Sequence, residues 1–293
     1  MRVLRALSRS HRLVFLALTI LALSASVIPL QAEQRDKITE IMHVTGLDTC
    51  FDSFGPALTI GMKQNIGKLS GDTFYREKVL GALEPAAATA FAPEKLRSQL
   101  RALLAEKLNA ADFGPIAAFY NGPIGARITA MENARNTPDA QAKMRASASE
   151  LAELLKKQPE RAKVLMDLDS SLRLTENSVD LAFNIGRATA VGMAAANEKT
   201  TTLSGDAVAA IDSALEKVRP GMAEKMKPAV LLSLAYTYRD ASIEDLRKYL
   251  KFLTSPVGKR FYDAVTPALS QVLVKAGDEF GHDLMKELGK ERA

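Results

Sequence analysis

The sequence predicts an all-α fold, and three observations lead there. Helix-favouring Ala, Leu, Lys, Glu and Met are abundant while Trp is absent. Apolar residues recur at three- and four-residue spacing rather than alternating, which is the period of a half-buried helix. A helix–break–helix phrase also occurs twice, once from Asn109 and once from Ser242. Repetition of this kind implies one supersecondary unit used twice. The expected architecture is therefore two tandem helical-bundle units, 33–155 and 156–293, packed as one pseudo-symmetric body.

The chain opens with Arg2, Arg5, Arg9 and Arg12, and has no acidic residue before Glu33. An apolar run follows from Leu13, and a stretch containing Ser24, Ser26 and Pro29 ends at Ala32. A basic start, a short apolar centre and a small residue at the exit are the parts of a secretory signal peptide. Residues 1–32 are thus expected to be removed, leaving a periplasmic or secreted protein. Retention of residues 13–30 as an inner-membrane anchor is the alternative, although Pro29 and the serines shorten the apolar segment toward the lower limit of about 17 residues for a span.

Export changes the charge argument. The full chain has 39 basic and 34 acidic residues, but four arginines lie in the leader, so the remainder holds 35 against 34. A nucleic-acid binder carries a basic excess or stripe, and none survives. Cys50 is the single cysteine, so no intramolecular disulfide is available and an apolar core must hold the fold.

Along the remaining chain, Leu96, Leu100, Leu103, Leu104 and Leu108 form one helical stripe. The polar, Ala-rich connector from Asn136 to Glu150 reads as helix. A long stripe closes the chain through Val257, Phe261, Val265, Leu269, Leu273, Phe280, Leu284 and Leu288, with Pro267 expected to bend it. Gly61-Met62 and Gly192-Met193 precede the two prolines of the repeated phrase by 61 and 63 residues, in similar apolar settings.

Within the phrase, Asp112/Asp245, Phe119/Phe252, Pro123/Pro256, Gly125/Gly258 and Arg127/Arg260 coincide. Asn109 and Ser242 suit a helix N-cap, with Asp112 and Asp245 in the first turn, where exposed amides favour an acid. Gly122-Pro123 and Ser255-Pro256 each end one helix and begin another, since proline lacks an N–H and is comfortable at the first helical position. Glycine inside the new helix costs about 1 kcal/mol against alanine. Its recurrence at Gly125 and Gly258 predicts close backbone approach to a neighbouring helix.

These residues resemble a bacterial exported family known as domain of unknown function 2059. Its pattern is an acidic helix start, an aromatic pair, Ser-Pro, an apolar residue and Gly-Lys. The second phrase is similar at Asp245, Phe252, Ser255, Pro256, Gly258 and Lys259, and departs at Leu253, where tyrosine is usual. The first keeps the pair Phe119-Tyr120 but has Gly122 for Ser and Ala126 for Lys. The resemblance implies two copies of a small, exported helical domain. It implies no activity.

Candidate chemistry is sparse. His43 stands seven residues before Cys50, about 10 Å along a helix axis, too far for a hydrogen bond within one helix. Cys50 is expected to pack as a small apolar residue and His43 to sit at the surface. Asp278 and His282 share a helix face, but two ligands do not make a metal site. Arg127 and Arg260 read as surface ion pairs, the latter with Asp263, or as stems covering a neighbouring helix. Tyr236 and Tyr238, with Arg239, read as core.

No catalytic, cofactor or metal site is therefore assigned, and the twelve motif residues are expected to be structural. The leading expectation is a non-enzymatic binding or envelope-associated module, its partner a protein or apolar ligand of the cell envelope and not a nucleic acid. Apolar-ligand or membrane-surface binding is the first alternative, from the Met- and Ala-rich amphipathic helices. A hydrolase or isomerase with an unfamiliar site is the second.

Overall fold

The computed structural model describes residues 34–66, 73–198, 200 and 203–290, so the leader on which the export and anchor expectations rest lies outside them. Among the described residues the chain is all-α, with no strand. Helix α1 spans residues 34–44. There follow α2 (Phe54–Ile66), α3 (Thr73–Ala90), α4 (Pro93–Lys107), α5 (Ala110–Asn121), α6 (Pro123–Arg135), α7 (Pro138–Ala146) and α8 (Ala148–Lys157). The second half contains α9 (Pro159–Leu172), α10 (Leu174–Asn197), α11 (Gly205–Glu216), α12 (Arg219–Thr237), α13 (Ile243–Leu253) and α14 (Pro256–Lys290). No described helix is long and apolar enough to cross a membrane.

Local chemistry sets the boundaries. Proline opens α4, α6, α7, α9 and α14, where its missing N–H costs nothing. The Asn109 side chain accepts from the Ala111 N–H at 3.0 Å, and Ser242 from that of Asp245 at 3.0 Å. Ser255 caps α14 by accepting from the Gly258 N–H at 3.1 Å, while its hydroxyl donates to the Phe252 carbonyl at 2.6 Å. Gly122 opens α6 with no such side-chain bond. The connector is helical as expected, divided at Ser147 into α7 and α8.

Two apolar clusters form the interior. The first gathers Ile41, Leu83, Leu100 and Ile116 from α1, α3, α4 and α5 against Phe280 and Leu284 of α14. The second gathers Ile128, Leu151, Leu165, Ala235 and Leu246 from α6, α8, α9, α12 and α13. Each cluster thus takes residues from both sides of residue 155. The stripe of α4 lies in the first, with Leu96, Leu100 and Leu104 each 0% exposed. A side chain buried to that degree contributes about 1.5–3 kcal/mol relative to exposure.

Helix α14 is the common wall. Its 35 residues extend about 52 Å at 1.5 Å per residue, and Pro267 lies inside without ending it. It packs along α10 at close range: a methyl at Gly281 would stand 2.2 Å from the Thr189 carbonyl oxygen, and one at Gly192 2.3 Å from that of Asp278. Gly61 has nothing within 4 Å of such a methyl. The likeness between the two Gly-Met pairs therefore stops at sequence, because only Gly192 faces another backbone.

Candidate functional site

The repeated phrase folds into two helix–break–helix corners that face each other. Asp112 and Asp245 occupy the first turns of α5 and α13, but their carboxylates point across rather than only serving their own helices. Arg260 grips Asp112 with two bonds, Nε to Oδ2 at 2.8 Å and Nη2 to Oδ1 at 2.5 Å. Arg127 Nη2 reaches Asp245 Oδ2 at 2.8 Å. The expected Arg260–Asp263 pairing is thereby corrected. Two parallel bonds to a carboxylate match the planar fork of a guanidinium better than one local contact does. Between the pairs, the Phe119 and Phe252 rings stack with centroids 3.8 Å apart and 2° between planes.

The glycines explain how the corners close. A methyl at Gly258 would lie 2.1 Å from the Phe252 carbonyl oxygen, and one at Gly125 2.3 Å from that of Phe119. Each glycine lets the first turn of one helix sit against the end of the helix before it. Lys259, beside this contact, is exposed.

Next to the corners, residues of both clusters line a cavity of about 810 Å³ that is open to solvent on one side. That falls within the range of roughly 300–1,000 Å³ typical of small-molecule sites. A chain of hydroxyls forms part of its wall. Tyr120 and Tyr262 share a hydrogen bond of 2.8 Å, Tyr262 and Tyr249 one of 2.9 Å. Tyr249 and Tyr238 donate to Glu132 Oε1 at 3.3 and 2.5 Å. Burial pushes the Tyr120, Tyr238 and Tyr249 hydroxyls well above the usual tyrosine range, with nearby Glu132 adding to the effect. They therefore act as neutral donors and acceptors.

Glu132 keeps some accessible surface where the cavity is, yet dense surrounding protein withdraws it from bulk water. Desolvation raises its pKa, opposed by the Tyr238 and Tyr249 hydrogen bonds and by the charge of Arg135. Arg135 lines the same cavity, and desolvation lowers its pKa. Its Nε is buried without a hydrogen-bond partner, an arrangement that costs about 1–3 kcal/mol unless something accepts from it. Arg173, also in the wall, adopts φ 50° and ψ 41° at the α9–α10 junction. A non-glycine residue in the left-handed region is uncommon. Asp169 supports it by accepting from the Thr175 N–H and hydroxyl, both at 2.8 Å.

The other sequence candidates lie as follows. The Cys50 thiol donates to the Leu47 carbonyl at 3.1 Å, and burial, followed by the charge of Asp48, pushes its pKa to about 12. His43 is exposed and meets Asp48 at 3.0 Å, not Cys50. No group of three or more His, Cys, Asp or Glu side chains able to hold a metal occurs among the described residues. Tyr236 is buried beneath the Arg239 guanidinium, 4.3 Å from its ring centroid. Tyr238 is buried too, but it is a member of the cavity network rather than plain core.

Sequence reading passed over Glu132, Arg135, Arg173, Tyr249 and Tyr262. Their partners are non-local: 106 residues separate Tyr238 from Glu132, and 142 separate Tyr120 from Tyr262. Glu132 and Arg135 three apart on a helix look like an ordinary solvated pair. The one local hint was tyrosine held at several positions in a chain with only six.

Comparison with known proteins adds one finding. Residues 94–153 match a family model described as "Uncharacterized protein conserved in bacteria (DUF2059)". The match covers α4 through most of α8, hence the first phrase with Asp112, Phe119, Pro123, Gly125 and Arg127. No curated protein and no solved structure matches the chain.

Proposed function

We propose that this protein is an exported, non-enzymatic binding module that holds a small ligand in the cavity between its two apolar clusters. The observation that carries the reading is the composition of that wall. Four tyrosines, Glu132 and Arg135 present fixed hydrogen-bonding groups beside apolar Leu181, Leu234 and Leu269. Pockets of mixed character with a few placed polar groups are the usual form of a ligand site. Neutral tyrosines and a thiol with a pKa near 12 favour binding over nucleophilic chemistry. The basic leader supports export to the periplasm, with cleavage near Ala32.

The proposal includes a second copy of the matched unit around residues 242–261. Reciprocal pairing supports it: Arg127 with Asp245, Arg260 with Asp112, and Phe119 on Phe252. In a self-complementary two-fold contact, residue i meets j while j meets i. On this reading the copies have diverged at the cavity. Glu132, Tyr249 and Tyr120 correspond to Val265, Ile116 and Leu253, all apolar, so the polar network has no mirror image.

Titration of the purified exported protein with N-phenyl-1-naphthylamine, a dye that fluoresces in apolar surroundings, tests the binding reading. One saturable site is expected, and filling the cavity from Ser178 or Ser270, which line it, through Ser178→Phe or Ser270→Phe should weaken binding at least tenfold. Absence of saturable binding, or equal binding by both filled variants, contradicts the proposal.

A further inference from the structure

The charges in the cavity wall are unevenly matched. Asp180 is taken by Arg219 at 2.5 Å. Asp263 is exposed at the margin. Glu132 accepts from Tyr238 and Tyr249, and the charge of Arg135 acts on it without a direct bond between the two. That leaves Arg135 and Arg173, both in the wall and neither engaged in an ion pair or a side-chain hydrogen bond among the described residues. Asn133 adds donor capacity: its Oδ1 accepts from Thr49 at 2.9 Å, so its amide N–H groups remain. Apolar side chains continue from these donors along Leu181, Leu234, Val265 and Leu269.

Resting on the binding reading above, we infer that the ligand is an acidic amphiphile, its carboxylate or phosphate held by Arg135 with Arg173 nearer the surface, and its apolar body lying against the leucines. A guanidinium offers up to five donors in a fixed fork suited to either oxyanion. Arg135 lines the cavity with no side-chain partner of its own among the described residues, so an oxyanion there would meet a guanidinium whose charge-assisted bonds are still to be made. An uncharged oxygen can accept from the guanidinium but offers neither the opposite charge nor the paired acceptors of an oxyanion. A cationic one meets two guanidinium groups.

The test is calorimetric titration of the full exported protein with decanoate, decyl phosphate, decanol and decylamine, which share one chain length. At least one of the two anions is expected to bind ten times or more tighter than decanol, with decylamine weakest. Arg135→Gln should remove that preference while leaving decanol affinity within twofold, and Arg173→Gln should reduce it in part. Tighter decanoate supports a fatty-acid-like ligand, and tighter decyl phosphate a phosphorylated one. Equal affinity for decanol and both anions in the parent overturns the inference, as does a preference that survives the double Arg variant. The parent series alone decides if a variant fails to fold. Naphthylamine binding with no head-group preference refutes this inference and spares the cavity reading, whereas absence of all binding refutes both.

Discussion

At the scale of single residues, Asp112 and Glu132 are opposite cases of one carboxylate chemistry. Asp112 is 4% exposed, and the Arg260 hydrogen bonds hold its pKa below the ordinary aspartate range. Its folded value lies under its unfolded one, so its contribution is present above the unfolded value, about 3.9, and is lost as pH falls through the folded one. Asp112→Asn should therefore lower Tm at pH 7 and converge with the parent in acid, as read by thermal melts across pH. A constant difference down to pH 2 would contradict the pairing. Glu132 runs the other way. Its pKa is raised by desolvation, so it costs nothing below its unfolded value and weighs against folding as pH rises past it. Glu132→Gln keeps an oxygen to accept from Tyr238 and Tyr249. It should hold or raise Tm at pH 7 and flatten the parent's decline above about pH 4.3.

These residues also mark where sequence reading ends. Arg127, Arg260, Asp112 and Asp245 stand out in the sequence through repetition. Their pairing was not legible, because the cross-corner partners are far apart in sequence while Asp263 is three residues from Arg260. Tyr238 could be placed inside the protein, since aromatic burial follows from composition. That it ends on Glu132 depends on tertiary packing.

At the scale of elements, Gly125 and Gly258 let each corner close. A Cβ at Gly258 would meet backbone at 2.1 Å and one at Gly125 at 2.3 Å, distances that no rotamer change relieves. Overpacking of this kind costs about 1–3 kcal/mol, against a helix-propensity gain of about 1 kcal/mol. Gly258→Ala and Gly125→Ala should each be destabilised, by up to about 2 kcal/mol net or more if the backbone cannot shift. Gly61→Ala supplies the contrast, with open space around the new methyl and an expected change between zero and a gain of about 1 kcal/mol. Urea unfolding of the three variants decides it; similar stability for all of them would mean that the corner glycines are not packing devices. Helix breaks at the two prolines and the stripes of α4 and α14 were readable because they depend on neighbours three or four residues away. Close approach at Gly192 was not, because its contact belongs to α14.

At the scale of the molecule, the interior divides by cluster and not by position along the chain. Residues 33–155 contain most of the first cluster but lack Phe280, Leu284 and Leu288, which complete it. A fragment ending at 155 should consequently show helix without a cooperative melt, while the chain carrying α14 melts cooperatively. A sharp transition for the fragment alone would mean that the unit folds independently of α14. All-α character could be read from composition and period. The cavity could not, since it exists only where the two clusters meet.

If that cavity is the binding site, its tyrosines give the most direct probe of it. With 3-fluorotyrosine incorporated, ¹⁹F NMR during saturation with N-phenyl-1-naphthylamine should shift the resonances of Tyr120, Tyr238, Tyr249 and Tyr262, which line the cavity, and leave Tyr236, which does not. Saturation that leaves all four in place, or that moves Tyr236 instead, would contradict the binding reading.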